Sequence, residues 1–133
     1  MNQYKSMLKI VVVGGGNGSA ISLNAIKKIN VDLEISAVIS MSDSGGSSGA
    51  LRKEFDTLPA GDIMRAILAL SIYPYPILKK IFNKNRFDEV GKLSKHNLGN
   101  IFLTLASEYT GNYLDAIRAL EQSVEAVGKT YPV

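Results

Sequence analysis

Four short runs combine the residue types that hold ligands. The first, "GGGNG" at residues 14–18, follows the apolar stretch Leu8 to Val13. Glycine permits positive φ and lets a ligand approach the main chain. Where a strand gives way to a helix, the first helical N–H groups are unpaired and favour an anion. Gly14, Gly15, Gly16, Asn17 and Gly18 are therefore candidate phosphate-binding residues, against the plainer reading of a turn that only packs helix on strand. The dinucleotide pattern of glycine, any residue, glycine, two residues, glycine is met by Gly14 and Gly16, but Ser19 holds the third glycine position. The second run, "SMSDSGGSSG" at 40–49, sets a carboxylate and several hydroxyls beside glycine N–H groups. Its candidates are Ser42, Asp43, Ser44, Gly45, Gly46, Ser47, Ser48 and Gly49, and the competing reading is a flexible serine-glycine loop. Asp43 is the candidate catalytic carboxylate, suited to accept from a ribose hydroxyl or to hold a magnesium ion that bridges phosphates. A single carboxylate makes that metal site weak.

The third run, "LPAGDIMR" at 58–65, offers Gly61 and Asp62 at a helix start, where capping explains Asp62 as well as ligand binding does. The fourth, "KHNLGN" at 95–100, contains the only histidine, His96, with Asn97, Gly99 and Asn100. His96 is the second catalytic candidate. A lone histidine is more often structural, but a helix N-terminus flanked by two amides suits a site. With no cysteine and no second histidine, metal binding through His96 is disfavoured.

The elements that must position these runs follow from periodicity. Leu8 to Val13 predicts a buried strand, Ser19 to Ile29 a helix facing the core through Ile21, Leu23, Ala25, Ile26 and Ile29, and Leu33 to Met41 a second strand. Strand, glycine turn, helix and strand make a βαβ unit with parallel strands and a right-handed crossover, so that the first two glycine runs face one crevice. After Gly49 the sequence turns helical. The pattern predicts helices at 50–55, 62–71 and 76–83, then a long one with Leu98, Ile101, Phe102, Leu105, Ala106 and Tyr109 on one face. Gly111 ends that helix, and Asn112 with Asp115 starts another, striped by Ile117, Leu120, Val124 and Val127 and closed by Gly128. The tail "KTYPV" has the character of a third strand. Nucleotide-binding α/β sheets usually have five or more, so residues 1–133 read as a single unit, the amino-terminal part of a larger α/β domain. An uncovered sheet edge would call for a partner chain or self-association.

With 133 residues, 46% of them hydrophobic and 20% charged, the chain has the balance of one globular domain. The net charge of +3 suits an anionic ligand and is too small and too evenly spread for nucleic acid. The basic cluster Lys79, Lys80, Lys84, Arg86, Lys92 and Lys95 reads as a solvated surface. No stretch has the length or apolarity of a membrane span or signal peptide, so the cytoplasm is the default compartment.

Taken in order, "GGGNG", "SDSGGSSG", "PAGD" and "HNLGN", with "GALRKEF" and "TGNYLDAIRAL" between and after them, resemble the CofD-like family, whose bacterial members are the gluconeogenesis factors. The resemblance implies a Rossmann-like three-layer α/β fold about twice this length, of which the chain matches the amino-terminal half. It implies cytoplasmic proteins that bind nucleotide sugars and support cell shape and wall synthesis during gluconeogenic growth. Relatives in deazaflavin cofactor synthesis imply an alternative activity, magnesium-dependent transfer of a 2-phospholactyl group from a guanosine diphosphate donor. The family's first loop falls on Gly14, Gly15, Gly16 and Gly18, with Asn17 where threonine is usual. Its acidic loop falls on Asp43, Gly45, Gly46, Ser47, Ser48 and Gly49. Ser44 replaces a frequent second aspartate, Ala60 a proline and Met64 an arginine, and on a helix Arg65 would point about 100° away from that arginine.

Overall fold

The computed structural model describes residues 7–41, 61–84 and 96–133. Three strands, β1 (Leu8–Gly14), β2 (Leu33–Ile39) and β3 (Gly128–Pro132), form one parallel sheet in the order β1-β2-β3. Register pairs Val12 with Ala37 and Ala37 with Thr130. The fold is thus the α/β, Rossmann-like arrangement of parallel strands that the sequence implies, with the tail as the third strand.

Between β1 and β2 runs α1 (Gly16–Ile26), which starts three residues before the predicted Ser19. The second glycine run and the helix predicted at 50–55 lie outside the described residues. Then come α2 (Gly61–Ala69), α3 (Tyr75–Leu78) continued by a π-helical turn at Lys79–Lys84, α4 (Leu98–Thr110) and α5 (Tyr113–Ser123). The breaker at 73–76 acts as expected, with Pro76 in the first turn of α3, where its missing N–H is harmless. Gly111 in the left-handed region closes α4 by donating to the Ser107 carbonyl at 2.9 Å, and the Asn112 side chain caps α5 by accepting from the Leu114 N–H at 2.9 Å. Helix α5 ends at Ser123, and Gly128 belongs to β3 instead of closing the helix.

The core is built by Leu23, Ile35, Ala37, Ile39, Ile63, Ile67, Leu68, Leu103, Ile117 and Leu120, with α1 and α2 against the sheet and α5 beside α4. Two predicted helix faces are rotated. Helix α1 buries Ser19, Ala20 and Leu23 and leaves Ile21 exposed. Helix α4 buries Gly99, Asn100, Leu103 and Thr104, so Leu98, Leu105 and Tyr109 of the predicted stripe face solvent, Tyr109 at 94% exposure. In both helices small residues lie inward because they allow closer backbone approach, and periodicity of apolar residues alone does not see that.

The two sheet edges differ. Thr130 directs its backbone away from β2. Its N–H donates to Glu121 Oε1 at 2.6 Å, and its carbonyl accepts from Arg118 Nη1 at 3.1 Å. Arg118 also donates to both Glu121 carboxylate oxygens, at 2.8 and 2.7 Å. This pair on α5 thereby caps the outer edge of β3. Glu121→Ala would strand a buried N–H and unbalance Arg118, so urea unfolding should show a loss of about 1–3 kcal/mol. An unchanged midpoint would remove the cap from the account.

Candidate functional site

The carboxyl ends of β1 and β2 open onto the first glycine run. Gly15 is the N-cap of α1, and no side chain caps it. No acidic residue stands in the first turn, and Asn17 and Gly18 are exposed. Among the described residues no side chain accepts from the first N–H groups of α1, which carry the positive end of the helix dipole and so favour an anion. Gly16 has φ +67°, a conformation in which a β-branched residue is strained. Ser19, the departure from the dinucleotide pattern, is also explained. It is buried, and its Oγ donates to the Gly15 carbonyl at 3.4 Å. A Cβ on Gly14 would come within 2.5 Å of that Oγ, so glycine in the strand makes room for serine in the helix.

The start of α2 stands beside this turn. A Cβ on Gly15 would lie 3.5 Å from Asp62 Oδ2, and Asp62 is ion-paired with Arg65 one turn later. Asp62 therefore stands at the rim of the glycine loop. Arg65 is the cation there, while Met64 is fully buried. Tyr75, in α3, has its phenol pushed up by burial, an effect the Arg65 charge opposes, so it stays a proton donor.

The start of α4 reaches the same end of the sheet through Met64. Gly99 packs so closely on it that a Cβ there would fall 1.7 Å from Met64 Sδ. His96, Asn97 and Asn100 are all buried. Asn97 is the N-cap, its Oδ1 accepting from the Asn100 N–H at 2.9 Å and its Nδ2 donating to the Asn83 carbonyl at 3.2 Å. With both ends of its amide so engaged, Asn97 acts in this structure as a structural cap. Asn97→Ala should lower stability by about 1–2 kcal/mol in urea unfolding. Equal stability would return Asn97 to the ligand candidates.

A family model described as 2-phospho-L-lactate transferase CofD matches residues 10–133. The chain belongs to the CofD family. Among curated relatives it is 40% identical over 124 residues to the gluconeogenesis factor of Listeria monocytogenes, covering 93% of this chain and 37% of that protein. It is 40% identical over 126 residues to the putative gluconeogenesis factor of Thermotoga maritima, covering 95% and 39%. A crystal structure of a Bacillus halodurans protein superposes with a TM-score of 0.82 at 37% identity, covering 94% of this chain and 39% of that one. The chain thus spans less than two fifths of the relatives it matches, at their amino-terminal end.

In this CofD-family chain the structure brings together Gly14, Gly15, Gly16, Asn17, Gly18 and Asp62. It places Gly61 buried at the start of α2, and His96, Gly99 and Asn100 buried at the start of α4. Ser42, Asp43, Ser44, Gly45, Gly46, Ser47, Ser48 and Gly49 lie outside the described residues, and with them the proposed magnesium ligand. Among the described residues no three of His, Asp or Glu converge as a metal site, and no helix is long and apolar enough to cross a membrane. Sequence reasoning missed Arg65 as the partner of Asp62. Their spacing of three on a predicted helix was the available signal.

Proposed function

We propose that the chain carries one wall of a nucleotide-sugar site of the gluconeogenesis-factor type. In this reading a diphosphate rests on the free N–H groups of the first turn of α1. Asp62, its charge offset by Arg65, accepts from a sugar or ribose hydroxyl at the rim. The single observation that carries the proposal is the N-terminus of α1, exposed at the carboxyl end of β1 and uncapped among the described residues. The cellular role that goes with it is support of cell shape and wall synthesis during gluconeogenic growth, in the cytoplasm.

The match to the 2-phospho-L-lactate transferase family favours a second reading, a transferase of that kind. That activity calls for a guanosine diphosphate donor and magnesium, with Asp43 as the metal-holding carboxylate. Calorimetric titration with a uridine diphosphate sugar and with guanosine diphosphate, each with and without magnesium, separates the two. Metal-independent binding of the nucleotide sugar supports the first. Magnesium-dependent binding of guanosine diphosphate supports the second, and no binding of either by the folded chain sinks both for residues 1–133 alone.

A further inference from the structure

A cleft opens at the other end of α1 from the glycine turn. Its volume is about 500 Å³, and it lies between the last turn of α1 and the segment 71–76. Asn24, Lys27 and Lys28 line it on the helix side, and Tyr73, Tyr75 and Pro76 on the other. Helix α1 runs from the carboxyl end of β1 back toward the amino end of β2. At 1.5 Å per residue it therefore sets this cleft about 16 Å from Gly16.

The cleft is cationic and holds no counterion of its own. Lys27 Nζ donates to the Ser71 carbonyl at 2.7 Å and to the Tyr73 carbonyl at 3.5 Å. Those carbonyls fix the ammonium in place, but they supply dipoles and not a charge. Burial, and then the neighbouring Lys28 charge, hold the Lys27 ammonium below the usual lysine pKa. Among the described residues neither lysine forms an ion pair. Glu125, the carboxylate that reaches this segment, is engaged by the Tyr73 hydroxyl. Lys79 stands over the Tyr75 ring at 5.7 Å and adds a third positive charge beside the segment. The dipole of α1 accounts for cations near its last turn, but not for an ammonium drawn into a partly dry cleft with no anion to meet it. A second, independent observation comes from the same wall, where Asn24 Oδ1 is buried without a hydrogen-bond partner.

We propose that this cleft binds a phosphate monoester of a small hydroxylated organic body, at a site separate from the glycine turn. Two adjacent ammonium groups call for a dianion, and a phosphate monoester carries close to that charge at neutral pH. The volume suits one small ligand, with Tyr73 and Pro76 offering apolar surface to its body. A hydroxyl on that body would give the Asn24 amide, turned toward the cleft, the donor its oxygen lacks. The site does not depend on the nucleotide reading.

The test is a titration of the purified chain with phenyl phosphate, followed through the backbone amide resonances. Saturating shifts are expected at Asn24, Lys28, Tyr73 and Tyr75, with phenol and inorganic phosphate each at least about tenfold weaker, since one lacks the charge and the other the body. Lys28→Gln should weaken binding at least about fivefold, whereas Lys129→Gln, which removes the same charge from β3, should change it less than about twofold. Lys28 is exposed, so its variant keeps the fold where Lys27→Gln would also release the segment from α1. Glycerol 3-phosphate should bind more tightly than propyl phosphate, and Asn24→Leu should erase that difference. Shifts that saturate only at residues 14–18 would overturn the proposal, because the ester would then be using the glycine turn. Equal losses in the two lysine variants would also overturn it, by reducing the effect to net charge. Succinate binding more tightly than phenyl phosphate would do the same, by giving the cleft to a dicarboxylate.

Discussion

Gly18→Glu should make the protein more stable and bind nucleotide worse. Position 18 lies in the first turn of α1, has an ordinary backbone conformation, and leaves a Cβ with no neighbour within 4 Å among the described residues. Replacing glycine there removes a backbone-entropy penalty of about 0.5–1 kcal/mol. A carboxylate near the helix N-terminus adds about 0.3–1 kcal/mol through the dipole. The same carboxylate competes with phosphate for the same N–H groups, so affinity should fall at least tenfold. Gly18→Ala should share the gain in stability without the added charge and keep most of the binding. Urea midpoints and calorimetric titration in the form that binds nucleotide read the two effects separately. Opposite signs for the glutamate variant are hard to obtain unless the ligand sits on α1, and unchanged affinity would place the phosphate elsewhere. Gly16→Val is a poor probe by comparison, because at φ +67° it strains the fold directly.

The parts of this molecule that were legible in its sequence are those fixed by local chemistry. A β-branched run ended by glycine became β1, a second β-branched run became β2, and Asn112 and Gly111 capped where caps were predicted. The glycine turn fell at the carboxyl end of β1 because strand and helix periodicity both ended there. Quantities set by nonlocal packing were not legible. The inward face of α4 is decided by how near Gly99 can come to Met64, and the chain around position 99 does not contain Met64. The closure of β3 by Arg118 and Glu121 likewise depends on a strand that reads in isolation as a five-residue tail. For His96 and Asn100 the sequence identified a polar helix start, and the structure buries them there.

Gly99→Ala tests the contact that joins α4 to the loop end of the sheet. The added Cβ would lie 1.7 Å from Met64 Sδ, 2.9 Å from Met64 Cγ and 3.2 Å from the Phe82 carbonyl oxygen. Met64 is fully buried, so its side chain can give way only by repacking among its neighbours. Overpacking of this kind costs about 1–3 kcal/mol, and the helix propensity gained by alanine, at most about 1 kcal/mol, does not offset it. Met64→Ala alone leaves a cavity and should cost about 2–5 kcal/mol. The double variant is the decisive member, because the alanine methyl then enters space that Met64 has vacated. Its loss should be smaller than the sum of the two by at least about 1 kcal/mol, a coupling measurable in a urea double-mutant cycle. Additive losses would mean that α4 retreats as a rigid body instead of pressing on Met64. The starts of α2 and α4 would then be free to separate, and His96 and Asn100 would not be held in fixed register with Asp62. Coupling, by contrast, would show that the runs at the starts of α2 and α4 are positioned by packing and not only by their own turns.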